Sequence, residues 1–223
     1  MNSSRMANSA RNSFWGILNR FVMTIAPFIF RAVIIRHIGA EYVGLSGLFK
    51  SILNVLNMTE LGFGSSIVFM MYKPIAENNA AEVRTLLNLM RKIYKCIGLI
   101  ILILGCCVYP FLDFLVKNDT GADVNLYILY TMYLANTVMS YLMCAYRSAL
   151  FTAYQRNDVV AKISIVCEIV MYLIQGVVLA FTRNYYLYLL VFTLMIIPQN
   201  LMYYFVSRRL FPEIYCEIGR AHV

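Results

Sequence analysis

Apolar residues in this chain come in long runs, not in the short alternations of a soluble core. The runs extend from about Phe14 to Arg36, Tyr42 to Met71, Cys96 to Val116, Leu126 to Ala149, Ile163 to Phe181 and Tyr185 to Val206. About 20 helical residues at 1.5 Å each cross a hydrocarbon core of roughly 30 Å. The pattern therefore predicts an all-α, polytopic bundle of six transmembrane helices. The second run is long enough to tilt, or to begin outside the hydrocarbon. Segment Ala76–Lys95 places Val83, Leu86, Leu87, Met90 and Tyr94 at helical spacing opposite a charged face. It predicts a helix along the inner membrane surface before the third span, either a plain connector or a binder of anionic membrane lipid. Lys117–Asn125, Tyr154–Lys162 and Thr182–Asn184 read as polar connections. The first run carries two arginines and lacks a small-residue cleavage site, so it is expected to be a retained helix.

Polar residues inside the runs recur at helical spacing. Span one has Asn12, Gly16, Arg20, Thr24, Pro27 and Arg31 on one face, with Pro27 able to kink it. Span two has Gly47, Lys50, Asn54, Asn57, Glu60 and Gly64. Span four has Tyr133, Asn136, Ser140, Cys144 and Arg147; span five has Ser164, Glu168, Tyr172 and Gln175. A cation in hydrocarbon costs roughly 2.5 kcal/mol or more on insertion scales, so such residues face a bundle interior or a wet cavity. Arg20, Arg31, Lys50, Asn54, Asn57 and Arg147 are the candidates for a substrate lumen. Arg20 and Arg31 lie near opposite ends of span one, where snorkelling is the alternative; Arg147 either joins the lumen or marks a helix end. Glu60, Glu168 and Gln175 are candidates for ion coupling or for structural bonding, and Glu60 is the expected partner of a span-one arginine. Pro198-Gln199-Asn200 in span six reads as a hinge or packing element. The shared interior is net cationic, which suits an anionic group such as phosphate or pyrophosphate.

Composition agrees with a membrane class. Of 223 residues, 61% are hydrophobic and 13% charged, with mean hydropathy +0.68. Soluble domains carry about 25% charged residues. The net charge of +8 follows from basic loops and does not call for nucleic acid. With the N-terminus in the cytoplasm, inner segments hold Arg5, Arg11, Lys73, Arg84, Arg91, Lys92, Lys95, Arg156, Lys162, Arg208 and Arg209. Outer segments hold Arg36, Lys117 and Arg183. This asymmetry predicts a cytoplasmic N-terminus. The six cysteines have no C-x-x-C or loop pairing and read as packing residues, neither disulfide framework nor metal site.

The residues quoted above bring a family into view. Arg11-Asn12, Phe30-Arg31, Ile38-Gly39-Ala40-Glu41-Tyr42-Val43-Gly44-Leu45, Glu60-Leu61-Gly62-Phe63-Gly64 and Met71-Tyr72-Lys73-Pro74-Ile75-Ala76-Glu77 resemble the polysaccharide flippase branch of the MOP exporter superfamily. The resemblance covers Arg11–Glu77; beyond that it rests on span count, loop lengths and orientation. It implies one lobe of a MATE-like, two-lobe transporter working by alternating access. It implies undecaprenyl-pyrophosphate-linked oligosaccharide as the substrate and the bacterial cytoplasmic membrane as the location. The polar head would pass a cationic lumen while the lipid tail stays in the bilayer. The expected partners are the lipid-linked oligosaccharide, membrane lipids and a C-terminal lobe of the same protein. No cofactor is implied.

Glu217 to Val223 resemble the translation of a short-read sequencing adapter up to its stop codon. Residues 1–216 are thus expected to be the N-terminal six-helix lobe, with the natural frame running on past Cys216 and His37 the one genuine histidine.

Two other transport or membrane roles remain open: a drug or cation antiporter of the same superfamily, which would want a more acidic cavity, and a non-transporting assembly subunit. An enzyme is not expected, since no D-x-D, H-E-x-x-H or G-x-S-x-G occurs.

Overall fold

The computed structural model describes residues 2–60, 62–116 and 125–215, with side chains described from Ala10 onward except at 59. Residues 117–124 of the Lys117–Asn125 connection and the adapter-like tail lie outside the described residues. The described residues are α-helical and contain no strand. Helices follow in the order α1 (Asn2–His37), α2 (Ala40–Asn57), α3 (Phe63–Ala76), α4 (Ala80–Val108), α5 (Leu112–Leu115) and α6 (Leu126–Leu142). Then come α7 (Ser148–Ala153), α8 (Asn157–Thr182), α9 (Tyr185–Leu194), α10 (Ile196–Leu210) and α11 (Pro212–Tyr215).

Four stretches are long and apolar enough to cross a membrane: Ala10–His37, Ala80–Leu115, Asn157–Thr182 and Tyr185–Leu210. The pair Leu126–Leu142 and Ala145–Ala153, bent by 47°, makes a fifth if taken as one broken span. The all-α membrane-type bundle is therefore present, but the count of six departs at the second expected span. Tyr42–Met71 is not one helix. A single 3-10 turn at Met58–Glu60 separates α2 from α3, and Gly62 enters α3 at φ +83°, a left-handed conformation that costs glycine nothing.

Asparagines start three helices by accepting from backbone N–H groups that have no partner within the helix. Asn79 accepts from Glu82 N, Asn125 from Tyr127 N and Ile128 N, and Asn184 from Tyr186 N and Leu187 N. Pro27 lies within an unbroken α1, whereas the break between α9 and α10 falls at Met195. Pro198 explains that break, because its ring removes an N–H and clashes with the carbonyl four residues back, at Leu194.

Two apolar cores stack along the bundle. One joins α3, the first half of α4, α7, the start of α8 and α10 through Met71, Leu87, Met90, Leu150, Phe151 and Tyr203. The other joins α2, the second half of α4, α6 and α9 through Phe49, Ile101, Leu129, Tyr130, Leu134 and Leu189. Ala76–Lys95 does not form a separate amphipathic helix ahead of the third span. Its residues 80–95 are the first half of continuous α4, and Val83, Leu87 and Met90 are buried in the first core. Three of the five described cysteines, Cys96, Cys106 and Cys107, are exposed, and all five are free thiols.

Outward faces of α1, α4 and α8 expose large apolar side chains, among them Phe14, Phe28, Ile103, Leu173 and Phe181. Such surface suits lipid, where a folded soluble domain would bury it. Helices α4 and α6 meet through glycine. A Cβ on Gly105 would collide with Leu134 Cδ1, and one on Gly98 would stand 3.1 Å from Tyr141 Cβ. Gly105→Val should therefore cost about 2 kcal/mol by overpacking, read as an earlier thermal transition in detergent micelles. Gly16→Val, in open space, should not reproduce that loss.

Candidate functional site

The polar stripes of α1 and α2 reach one cavity. Pro27, Phe30 and Arg31 approach it from α1, Ser46 and Lys50 from α2, and Tyr172 and Gln175 from α8. Tyr133 of α6 and Tyr188 and Phe192 of α9 complete its wall. Arg31 and Lys50 are both exposed where they line it. The Lys50 ammonium lies 5.6 Å from the Phe192 ring centroid and feels the fields of both Arg31 and Glu168. Phe30 and Tyr172 close the floor with ring centroids 4.4 Å apart.

Two buried acceptors near these cations have no hydrogen-bond partner. Gln175 is 1% exposed; its Nε2 donates to the Tyr188 carbonyl at 3.1 Å, while Oε1 is unpaired. Glu168 Oε2 is likewise buried without a hydrogen bond. No ion pair within 4 Å joins Glu168 to Lys50 among the described residues. An orphaned buried acceptor costs roughly 1–3 kcal/mol, so a donor is called for at both places. At Gln175, which lines the cavity, water can serve: about 50 Å³ is open to molecules of that size, enough for a few waters. Ligand pockets run to roughly 300–1,000 Å³. A pyrophosphate head does not fit inside in this conformation and would meet Arg31 and Lys50 where they are exposed.

The six lumen candidates do not share one place. Arg31 and Lys50 come together. Arg20 is exposed on the same stripe of α1, about 16 Å along the axis, and its carbonyl accepts from Thr24 Oγ1. Asn54 is exposed one turn from Lys50, and Asn57 is half-buried with Oδ1 unpaired. Arg147 is elsewhere: 6% exposed, it donates to Ser207 Oγ at 3.0 Å and stacks on Tyr204 and Tyr215 at 4.4 and 4.7 Å.

Glu60 is not the partner of a span-one arginine. It ends the 3-10 turn after α2, where its Oε1 accepts from Tyr94 OH at 2.6 Å and its Oε2 from Tyr141 OH at 2.8 Å. The break in the second run causes this, because it turns Glu60 toward α4 and α6 and away from α1.

Sequence reasoning passed over Asp158. Its side chain is 1% exposed and takes ion pairs from Arg11 at 3.2 Å, Arg156 at 3.1 Å and Lys162 at 3.3 Å. Asn12 adds a second tie, donating Nδ2 to the Gln155 carbonyl and accepting from Asp158 N. Arg11-Asn12 thereby fastens α1 to the start of α8. The readable signal was a lone acid four residues before Lys162 in a basic loop.

Comparison with protein-family models, curated proteins and solved structures finds no match.

Proposed function

We propose that this chain is the N-terminal lobe of a flippase that moves undecaprenyl-pyrophosphate-linked oligosaccharide across the bacterial cytoplasmic membrane for surface polysaccharide synthesis. The observation that carries the proposal is the meeting of Arg31 and Lys50 on an exposed side of a membrane-type bundle. No carboxylate lies within 4 Å of either among the described residues. Two such cations are costly against lipid, so this side is best covered by an aqueous lumen and a second lobe. An arginine fork and an ammonium suit the two phosphates of the carrier. The N-terminus is assigned to the cytoplasm from the loop charges. Glycan export should be measured in cells whose only copy carries Arg31→Ala or Lys50→Ala, with protein level controlled. Each should lower export about tenfold or more, since a charge-assisted hydrogen bond is worth about 1.5–3 kcal/mol. Normal export in both would remove the cationic-lumen assignment.

The unpartnered Oε2 of Glu168 favours a second reading, a cation antiporter of the same superfamily. Under that reading Glu168→Gln abolishes cation export; under the flippase reading export still depends on Arg31.

A further inference from the structure

Arg147 belongs to a second cavity, distinct from that of Arg31 and Lys50. This cavity measures about 470 Å³ and is lined by Arg84 and Arg91 of α4, Arg147, Arg208 of α10, Asn88 and Tyr215. No carboxylate lines it among the described residues. Arg84, Arg91 and Arg208 are exposed, while Arg147 is buried.

The buried guanidinium is built in. Its Nη1 donates to Ser207 Oγ at 3.0 Å, and Ser207 in turn donates to the Tyr204 carbonyl. Arg147 and Arg208 share two rings: Tyr204, at 4.4 and 4.8 Å, and Tyr215, at 4.7 and 5.9 Å. Tyr215 OH is itself held by Ser207 Oγ at 3.3 Å. Yet Arg147 Nε is buried without a hydrogen-bond partner. A guanidinium cannot shed its charge near neutral pH. Four of them around one cavity with no acid in its lining set up a strong positive potential there, and the buried charged donor of Arg147 left unpaired is costly.

We propose that this cavity binds the phosphoryl group of an anionic ligand. A single carboxylate would offset one charge; a phosphoryl group brings more charge and three oxygens that match planar guanidinium forks. The amide of Asn88 and the hydroxyl of Tyr215 add neutral polar groups at the wall. The volume lies within the range of small-molecule sites. The same phosphoryl chemistry comes from a soluble phosphate or from a phospholipid headgroup reaching the basic end of the bundle. The inference stands on this cavity alone and does not depend on transport.

The test uses the purified full chain in neutral detergent. Inorganic pyrophosphate is titrated by calorimetry, and short-chain phosphatidylglycerol is followed by native mass spectrometry. The paired variant Arg84→Gln with Arg91→Gln changes two exposed rim residues. Arg36→Gln with Arg183→Gln removes equal charge elsewhere. Binding of pyrophosphate that weakens about tenfold or more in the first pair and not in the second supports a site for soluble phosphates. The same pattern with phosphatidylglycerol alone supports a headgroup site. Failure of both ligands to bind, or equal binding by the two paired variants, overturns the proposal.

Discussion

Asp158→Ala should lower the stability of the chain by about 3 kcal/mol, more than any single substitution among its three cationic partners. Each pair taken alone is unremarkable, because Arg11, Arg156 and Lys162 have side chains 38%, 37% and 42% exposed. Ion pairs at such exposure contribute about 0–1 kcal/mol and are screened by salt. The carboxylate differs: at 1% exposure it has given up its water and is solvated only by the three cations. Removing a cation leaves two; removing the carboxylate leaves three like charges around an apolar stub. Lys162 also lies over the Trp15 ring at 4.8 Å, so the damage spreads along α1. Asp158→Asn keeps an acceptor without the charge and should lose roughly half as much. Thermal unfolding in detergent micelles across a salt series reads all of these. Equal losses in Asp158→Ala and Arg11→Ala would show that the buried carboxylate is not the centre of the network.

Helices could be read from the sequence wherever an apolar run matched the thickness of a bilayer, as in Cys96–Val116 or Ile163–Phe181. The second run misled because Leu56, Met58, Leu61 and Phe63 keep apolar residues recurring across the interruption at Thr59, Glu60 and Gly62. Its excess length, and Gly62 and Gly64 close after Glu60, were the available signs of a break, and glycine reads equally well as a packing residue. Helical spacing placed Arg31 and Lys50 on polar faces, and the fold brings those two faces together. The same spacing grouped Arg147 with them, which the fold does not. Periodicity fixes which residues share a face of one helix, but not which face of another helix it meets. Arg147 follows the bend after α6, so its direction depends on a 3-10 turn at Ala145–Arg147 that no period encodes. Asp158 was hidden for the opposite reason: it lies in a short polar connection, where a lone acid usually belongs to a solvated surface.

Glu60 tests the consequence of that broken second run. Two phenols donate to its two oxygens, one from α4 and one from α6. Tyr94 packs against both apolar cores, and its ring stands 5.7 Å from that of Tyr141. The carboxylate thus pins three elements where the two cores adjoin. Hydrogen bonds to a charged group are worth about 1.5–3 kcal/mol each. The low end applies, because a neighbouring cavity of about 470 Å³ lets water reach Glu60 and Tyr94. Glu60→Ala should therefore cost about 3 kcal/mol in total. Glu60→Gln keeps one oxygen as acceptor, while its amide can donate to the second phenol oxygen, so it should cost about 1 kcal/mol or less. Tyr94→Phe and Tyr141→Phe each remove one bond, and their separate losses should approach that of Glu60→Ala when added, provided the two phenols act independently. Melting curves of the four variants in one detergent decide the matter. A Glu60→Ala protein as stable as the parent would mean that the turn after α2 is held by its backbone and glycine alone.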